Sequence, residues 1–149
     1  MTDRIAPFRL AVIGAIAVLA ACSRDDDAVA RRHAAGPRPD FAATMRVASP
    51  AAGARQFARC AQCHPIRVGA PDRDGPNLRG VVGAPVAQSS ARFAYTAALR
   101  HVGGRWTPDR LDAWLTDPHR FAPGTSMGFA GLADPIARAD VIAYLQAQR

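Results

Sequence analysis

The sequence predicts an all-α protein, a small domain in which short helices are joined by long loops. Two predicted helices begin with the same signature, a capping side chain followed by proline, at Thr107-Pro108 and at Asp134-Pro135. Behind each start, apolar residues recur at helical spacing. The segments between the predicted helices are rich in glycine and proline, which predicts loops.

The first 21 residues are predicted to be an export signal. Arg4 and Arg9 form a positively charged start, and the apolar run 10–21 follows it. This run has 12 residues, fewer than the ~20 that a membrane-spanning helix needs. We therefore expect residues 1–21 to be a signal peptide.

The signal ends in Leu19-Ala20-Ala21-Cys22, which resembles the lipobox of bacterial lipoproteins. In such proteins the cysteine is acylated and becomes the first residue of the mature chain. We expect Cys22 to carry a lipid that anchors the protein on the periplasmic side of a bacterial membrane. The alternatives are ordinary cleavage, with Cys22 removed or left free, and an uncleaved signal anchor.

Residues 22–52 are expected to be a lipid-anchored flexible linker, and residues 53–149 the folded domain. The linker combines charge runs and prolines with isolated apolar residues. Such a composition buries too little apolar surface to offset the entropy of ordering it. As a loose coil, ~30 residues would reach roughly 30 Å, and about three times that when stretched.

The first helix of the domain is predicted from Gly53 and Phe57, which lie four residues apart on one helical face. This helix should end at residues 60–64, which read CAQCH.

The segment CAQCH is the attachment signature of a c-type haem. The thiolates of Cys60 and Cys63 each add across one vinyl group, and the two-residue gap lets both sulfurs reach one porphyrin edge while His64 binds the iron. A thioredoxin-like redox pair and half of a zinc site also use C-x-x-C. A redox pair does not need the histidine, and the one other cysteine lies far upstream. The prediction is therefore one covalent haem c.

Two further helices follow from their start signals. The helix behind Thr107 should stop at Pro118, and it carries an apolar stripe: Leu111, Trp114 and Leu115. The last helix starts at Asp134 and carries apolar residues on one face: Ala137, Val141, Tyr144 and Leu145. A haem can hold the intervening loops because it supplies the core that they lack.

From Gly53 to Leu145 the chain resembles class I cytochrome c, and the resemblance covers essentially the whole domain. Besides the haem motif it rests on an ordered series of residues: Gly53, Phe57, Gly75-Pro76-Asn77-Leu78, Phe93-Ala94-Tyr95-Thr96, Trp106, Leu111, Pro118, 123–132, Arg138 and Tyr144-Leu145. The resemblance implies a small class I cytochrome c fold, with helices and loops wrapped around one haem. It also implies an electron carrier and not an enzyme.

The resemblance implies an axial pair for the iron. His64 would bind through one ring nitrogen and donate from the other to the Pro76 carbonyl. Met127, within the segment TSMGF, would be the distal ligand. A methionine taken alone is more often core filling, so this assignment depends on the motif. His101 and His119 are weaker candidates for iron ligation.

Further implied roles concern packing and the haem carboxylates. Tyr95 and Trp106 would donate hydrogen bonds to the inner propionate, and their alternative role is that of plain core aromatics. Four residues should pack where the first and last helices cross: Gly53, Phe57, Val141 and Tyr144.

The chain departs from the family pattern near the haem. The family often places an arginine near the inner propionate just after a glycine equivalent to Gly83, and this chain has Ala84 there. Arg92 is the candidate substitute. Trp114 stands where the family frequently has a tyrosine close to the methionine sulfur.

The surface charge predicts the class of partner. After the signal the chain has 17 Arg and 11 Asp, a formal charge of +6, and neither Lys nor Glu. An exported haem protein is not expected to bind nucleic acid. We therefore expect redox partners with acidic docking surfaces. Relatives that dock through lysines have basic residues where this chain has Ser126 and Asp134, which leaves mainly Arg59 and Arg120 near the haem edge.

The sequence therefore predicts a membrane-tethered, single-haem electron carrier, monomeric unless it belongs to a complex. A fixed haem subunit of a periplasmic dehydrogenase or oxidase has the same site and stays open as an alternative. A haem enzyme or gas sensor needs an open distal site, which the motif around Met127 disfavours.

Overall fold

The structure, a computed structural model, describes residues 27–149, so the predicted signal peptide and Cys22 lie outside the described residues. The helices run in this order: 27–35 (α1), Phe41–Arg46 (α2), Pro50–Phe57 (α3), Ala97–Val102 (α4), Pro108–Thr116 (α5), Pro118–Phe121 (α6) and Pro135–Gln146 (α7). Residues 27–149 contain no β-strand, only an isolated bridge between Pro85 and Arg105. The all-α prediction is confirmed. None of the helices in this part of the chain is both long enough and apolar enough to cross a membrane.

The helical core is built where α3 crosses α7. Gly53 allows the close approach, because a Cβ at this position would collide with the Asp140 carbonyl oxygen and come within 2.8 Å of the Tyr144 Cβ. Next to it, the ring centroids of Phe57 and Tyr144 lie 5.2 Å apart. Val141 is buried in the same core. The structure thus has the packing expected between the first and last helices of the domain.

Helix α5 was predicted to start behind Thr107 and to stop at Pro118, and its observed bounds agree within two residues. Thr107 is its N-cap by backbone conformation, but its hydroxyl makes no capping hydrogen bond. Pro108 occupies the first turn, and α5 ends at Thr116, just before α6 begins at Pro118. All three residues of the predicted stripe are buried: Leu111, Trp114 and Leu115.

Helix α7 is buried on more sides than the sequence predicted. Asp134 caps it, with its Oδ1 accepting from the Ile136 N–H at 2.9 Å. Besides the predicted Val141 and Leu145, residues on other faces are also buried: Ile136, Ala139, Asp140 and Ile142. Because α2, α3 and α5 all pack against α7, it forms the centre of the helical core.

Arg138 connects α7 to α5 and to the loop 122–134. Its Nε donates to Asp112 Oδ1 at 2.7 Å. Its Nη1 donates to the carbonyl oxygens of Leu132, at 2.7 Å, and Ala133, at 3.1 Å. The buried guanidinium is therefore paired, and it fixes the end of a loop that contributes to the cavity described below.

The expectation of a flexible linker is wrong for residues 27–52, where the structure has α1, α2 and the start of α3. Asp40 Oδ1 accepts from the Ala43 N–H at 2.7 Å, and Ser49 Oγ accepts from the Ala52 N–H at 3.2 Å. These two caps start α2 and α3. The composition argument failed because α2 finds its core against α7, which is distant in sequence.

Candidate haem-attachment site

Residues 58–64 continue α3 as a series of turns. The N–H of Cys60 donates to a carbonyl at the end of α3 at 2.8 Å, and the N–H of His64 donates to the Cys60 carbonyl at 2.9 Å. Cys60 is half-buried and Cys63 is exposed, and both line a mainly apolar cavity. Burial raises the pKa of the Cys60 thiol, and Arg59 acts in the opposite direction.

His64 lines the same cavity and is oriented by a backbone carbonyl. Its Nδ1 lies 2.8 Å from the Pro76 oxygen. A carbonyl can only accept, so Nδ1 donates and Nε2 keeps its lone pair. Burial lowers the pKa of His64, and the hydrogen bond to the Pro76 carbonyl acts in the opposite direction. The lowered pKa favours the neutral, metal-binding imidazole.

The loop 65–77 makes room for the His64 ring. Gly75 is buried against it, and a Cβ at this position would collide with the imidazole. Asn77 holds the loop together: its side-chain amide donates to the carbonyls of Arg67, at 2.8 Å, and Ala70, at 3.0 Å. The sequence analysis used Gly75 and Asn77 only as parts of a resemblance, and the structure gives each a local role.

Met127 reaches the cavity from the loop 122–134. Its N–H donates to Thr125 Oγ1 at 3.3 Å. The loop returns to α5 at Gly131, whose φ of +97° suits glycine, and where a Cβ would collide with the Thr116 carbonyl. The position of the methionine is thus set by a hydrogen bond beside it and by a turn farther along its loop.

A covalently bound haem c fits these residues. Two thiols, one imidazole and one thioether sulfur line a single cavity, and a histidine nitrogen with a methionine sulfur is an established donor set for haem iron. The remaining lining is largely apolar, with aliphatic side chains such as Leu78, Leu99, Leu111 and Leu145. Residues 27–149 contain no cluster of three or more His, Cys, Asp or Glu side chains able to hold a metal ion, so the C-x-x-C pair has no zinc partners there.

Tyr95 and Trp106 are buried and line the cavity. The Ser90 N–H donates to the Tyr95 hydroxyl oxygen at 3.2 Å, which leaves the hydroxyl hydrogen to donate elsewhere. Burial raises the pKa of Tyr95, and the Ser90 backbone acts in the opposite direction. Ser90 is held in turn by Asp72, which accepts from its hydroxyl at 2.5 Å.

Trp114 belongs to an aromatic cluster that the sequence analysis did not find. The ring centroids of Trp106 and Trp114 lie 5.5 Å apart, and Phe121 lies 5.9 Å from the first and 5.7 Å from the second. Both tryptophans line the cavity. Phe121 completes the cluster from α6, a one-turn helix whose position only the folded chain reveals.

Ala84 supplies no arginine to the lining of the cavity. Its carbonyl accepts from the Trp106 N–H at 2.9 Å, and Arg105 donates to the Gly83 carbonyl at 2.7 Å. Arg92 is exposed and does not line the cavity, and among residues 27–149 the lining includes no arginine. The role of Arg92 as the substitute arginine therefore stays a prediction.

The remaining candidates lie at the surface. Arg59, Arg120, His119 and His101 are exposed, and neither of these two histidines lines the cavity. Ser126, which lines the cavity, is exposed beside Met127.

Several cytochromes are similar to this chain. A cytochrome c homolog of Bradyrhizobium diazoefficiens is 45% identical over 101 residues, which cover 68% of this chain and 55% of that protein. The cytochrome c of Ulva intestinalis is 43% identical over 98 residues, which cover 65% of this chain and 87% of that protein. No family model matches the chain.

A solved structure extends this similarity to the fold. Cytochrome cH from Methylobacterium extorquens superposes with a TM-score of 0.63 at 39% identity. The match covers 66% of this chain and 98% of the other. About two thirds of this chain therefore shares its fold with a known cytochrome structure.

Proposed function

The chain belongs to the cytochrome c family, which carries electrons on one covalent haem c. From this premise we propose a membrane-tethered, single-haem carrier in which His64 and Met127 would hold the iron. The protein is an electron carrier and not an enzyme. The observation that carries the proposal is the single cavity lined by Cys60, Cys63, His64 and Met127.

Each site residue has a proposed role in holding the cofactor. Cys60 and Cys63 would form the thioether bonds, and His64 and Met127 would bind the iron. The hydrogen bond to Pro76, 2.8 Å long, fixes the His64 ring with Nε2 available to the metal. These roles together close the iron to other ligands.

Tyr95 and Trp106 are proposed donors to the inner haem propionate. Both residues are buried and carry a neutral donor, a hydroxyl or an indole N–H, along a lining that lacks arginine among the described residues. Neutral donors bind a carboxylate more weakly than a paired cation does.

The haem supplies reversible one-electron chemistry. Around it the protein excludes water with apolar side chains and leaves Cys63 exposed, so electrons cross at an accessible edge and no substrate pocket is needed. Methionine ligation raises the potential relative to other histidine-ligated haems.

The experiment that tests the ligand assignment compares two methionines. Met127→Ala should remove the weak red-edge absorption band that ferric haem shows with a sulfur ligand, and should lower the midpoint potential. Met45→Ala is the matched control, because Met45 packs against the core from α2 and does not line the cavity. An unchanged band and potential in Met127→Ala would contradict the assignment.

The proposed tether depends on Cys22, after removal of residues 1–21. Cys22→Ala should release the haem protein from membranes or leave its precursor unprocessed, as measured by cell fractionation. Unchanged processing and membrane attachment would mean that the anchor is another part of the chain. This test separates the proposed location, on the periplasmic side of a bacterial membrane, from the electron-transfer role.

We propose acidic docking surfaces on the redox partners, steered by the exposed Arg59 and Arg120. Charges at a surface act mainly on the association rate and are screened beyond ~8 Å at physiological salt. Arg120→Glu should therefore slow electron transfer at low salt, and the difference should shrink as salt rises. Arg46→Glu, an exposed charge reversal on α2, is the control. Stopped-flow rates that do not depend on ionic strength would favour apolar docking or a permanent complex.

A further inference from the structure

One arginine makes several of the contacts between the N-terminal strap, residues 27–49, and the rest of the domain. The Arg31 guanidinium donates to Asp140 Oδ1 at 2.7 Å and to the Val47 carbonyl at 3.2 Å. Its Nε also lies 3.2 Å from Asp27 Oδ2. Arg31 thus connects α1, the end of α2 and α7.

The carboxylate on the other side of this contact is buried. The Asp140 side chain is 5% exposed, and its second partner is the Ser49 N–H at 2.7 Å. Within residues 27–149, both hydrogen-bond donors to this carboxylate therefore come from the strap. Moving the strap away would remove both of these hydrogen bonds from the carboxylate, which is unfavourable.

A second ion pair supports the same placement. Arg32 Nη2 donates to Asp134 Oδ2 at 2.7 Å, but the two side chains are 61% and 39% exposed, so this pair adds little. The buried faces of α2, at Ala43 and Thr44, add packing against α7. The Arg31–Asp140 pair is therefore the contact on which the strap depends most.

We propose that the strap is a fixed part of the folded domain and that it holds the haem domain close to the membrane. This rests on the proposed lipid at Cys22. Residues 22–26 span at most about 18 Å, against about 100 Å for a fully extended 22–52. A domain of this size is about 35 Å across.

The short reach identifies the class of partner. The haem domain docks on a membrane-embedded or membrane-bound redox protein whose docking surface lies within about 50 Å of the membrane surface. A partner that presents its docking surface farther from the membrane is out of reach.

The first experiment measures the strap in the full mature chain carrying Cys22→Ser, so that its outcome does not depend on lipidation. Spin labels are placed at Val29→Cys in α1 and Val68→Cys in the loop 65–77, both exposed positions. The haem occupies the remaining cysteines, Cys60 and Cys63. Pulsed electron spin resonance should give one narrow distance distribution.

Substitution of the arginine should free the strap. Arg31→Ala should broaden the label distance distribution at least twofold. Arg38→Ala is the matched control, since Arg38 is exposed in the same segment and its side chain makes no hydrogen bond within residues 27–149. A broad distribution in the parent, or no change in Arg31→Ala, would overturn the fixed strap.

The second experiment tests the reach in the lipidated protein. An insertion of about 20 Gly and Ser residues between residues 26 and 27 should slow electron transfer to the native membrane partner about tenfold, because effective concentration falls with linker length. An equal or faster rate would overturn the short-reach proposal. Fractionation of Cys22→Ala decides separately whether the lipid exists.

Discussion

The crossing of α3 and α7 and the loops around the cavity differ in what their apolar side chains contact. At the crossing, protein meets protein: Gly53 lies against Tyr144, and the Phe57 ring packs beside it. The loops 61–96 and 122–134 line the cavity, so their apolar side chains would contact the haem. The first region is held mainly by contacts between protein side chains, although Phe57 and Val141 also reach the cavity, whereas the second region depends on the cofactor.

This difference separates two kinds of effect. Substitutions at the crossing should lower the free energy of unfolding and leave the haem spectrum unchanged. Substitutions around the cavity should change both. Arg138 links the two regions, because it donates from α7 to Asp112 in α5 and to the Leu132 carbonyl in the loop that carries Met127.

The largest expected effect comes from removing the haem attachment. The double substitution Cys60→Ala with Cys63→Ala should abolish covalent haem, as seen by haem staining on a denaturing gel. Without the haem, the loops lose their core, so their amide hydrogens should exchange fast. Amides of α3 and α7 should keep measurable protection, because Gly53 and Tyr144, where the two helices come closest, do not line the cavity.

Cys22→Ala is the control for this comparison, because it removes the third cysteine and should leave haem attachment intact. Equal loss of protection in the two regions of the Cys60→Ala, Cys63→Ala protein would contradict the distinction between them. Haem that stays bound on the denaturing gel would contradict the assignment of the thiols.

The next effect in size is at the closest helix contact. Gly53→Val puts side-chain atoms where the Asp140 carbonyl and Tyr144 stand, so the two helices have to move apart. Overpacking of this kind should lower the free energy of unfolding by about 3 kcal/mol. The measurement is the denaturant midpoint of the haem-bound protein.

Ala54→Val is the matched control. Ala54 is the exposed neighbour in α3, where valine costs only about 0.6 kcal/mol of helix propensity. A Gly53→Val protein within 1 kcal/mol of this control would mean that α3 and α7 separate easily, and that the crossing is not the rigid half of the molecule.

Local start signals explain how much of the fold the sequence predicted. Thr107-Pro108 and Asp134-Pro135 led to α5 and α7, and Ser49-Pro50 carries the same signature at the start of α3. Residues 27–49 were misread because their stability depends on Arg31 meeting Asp140, 109 residues later. No local pattern contains that contact.

In the functional site, too, some residues could be predicted from a local motif and others could not. Cys60, Cys63 and His64 form a local motif, so their chemistry was readable directly. Met127 and Pro76 were reached through the resemblance, since a methionine or a carbonyl has no local signature. Phe121 was missed because its contacts to two tryptophans exist only once α6 follows α5.

The smallest expected effect is a matched pair of aromatic substitutions, one in each region. Tyr144→Leu removes the ring that packs on Phe57 at the crossing, and Phe121→Leu removes the ring next to Trp106 and Trp114. Each ring makes aromatic contacts worth about 1 kcal/mol beyond its buried area. Both variants should therefore lose a similar, small amount of unfolding free energy.

The two variants should differ at the haem. Both tryptophans line the cavity, so Phe121→Leu should let them shift and should change the midpoint potential and the haem absorption. Tyr144 does not line the cavity, so Tyr144→Leu should change stability alone. Redox titration and denaturant unfolding of the same two samples make the comparison. If Tyr144→Leu moves the potential as much as Phe121→Leu does, the crossing and the cavity behave as one unit.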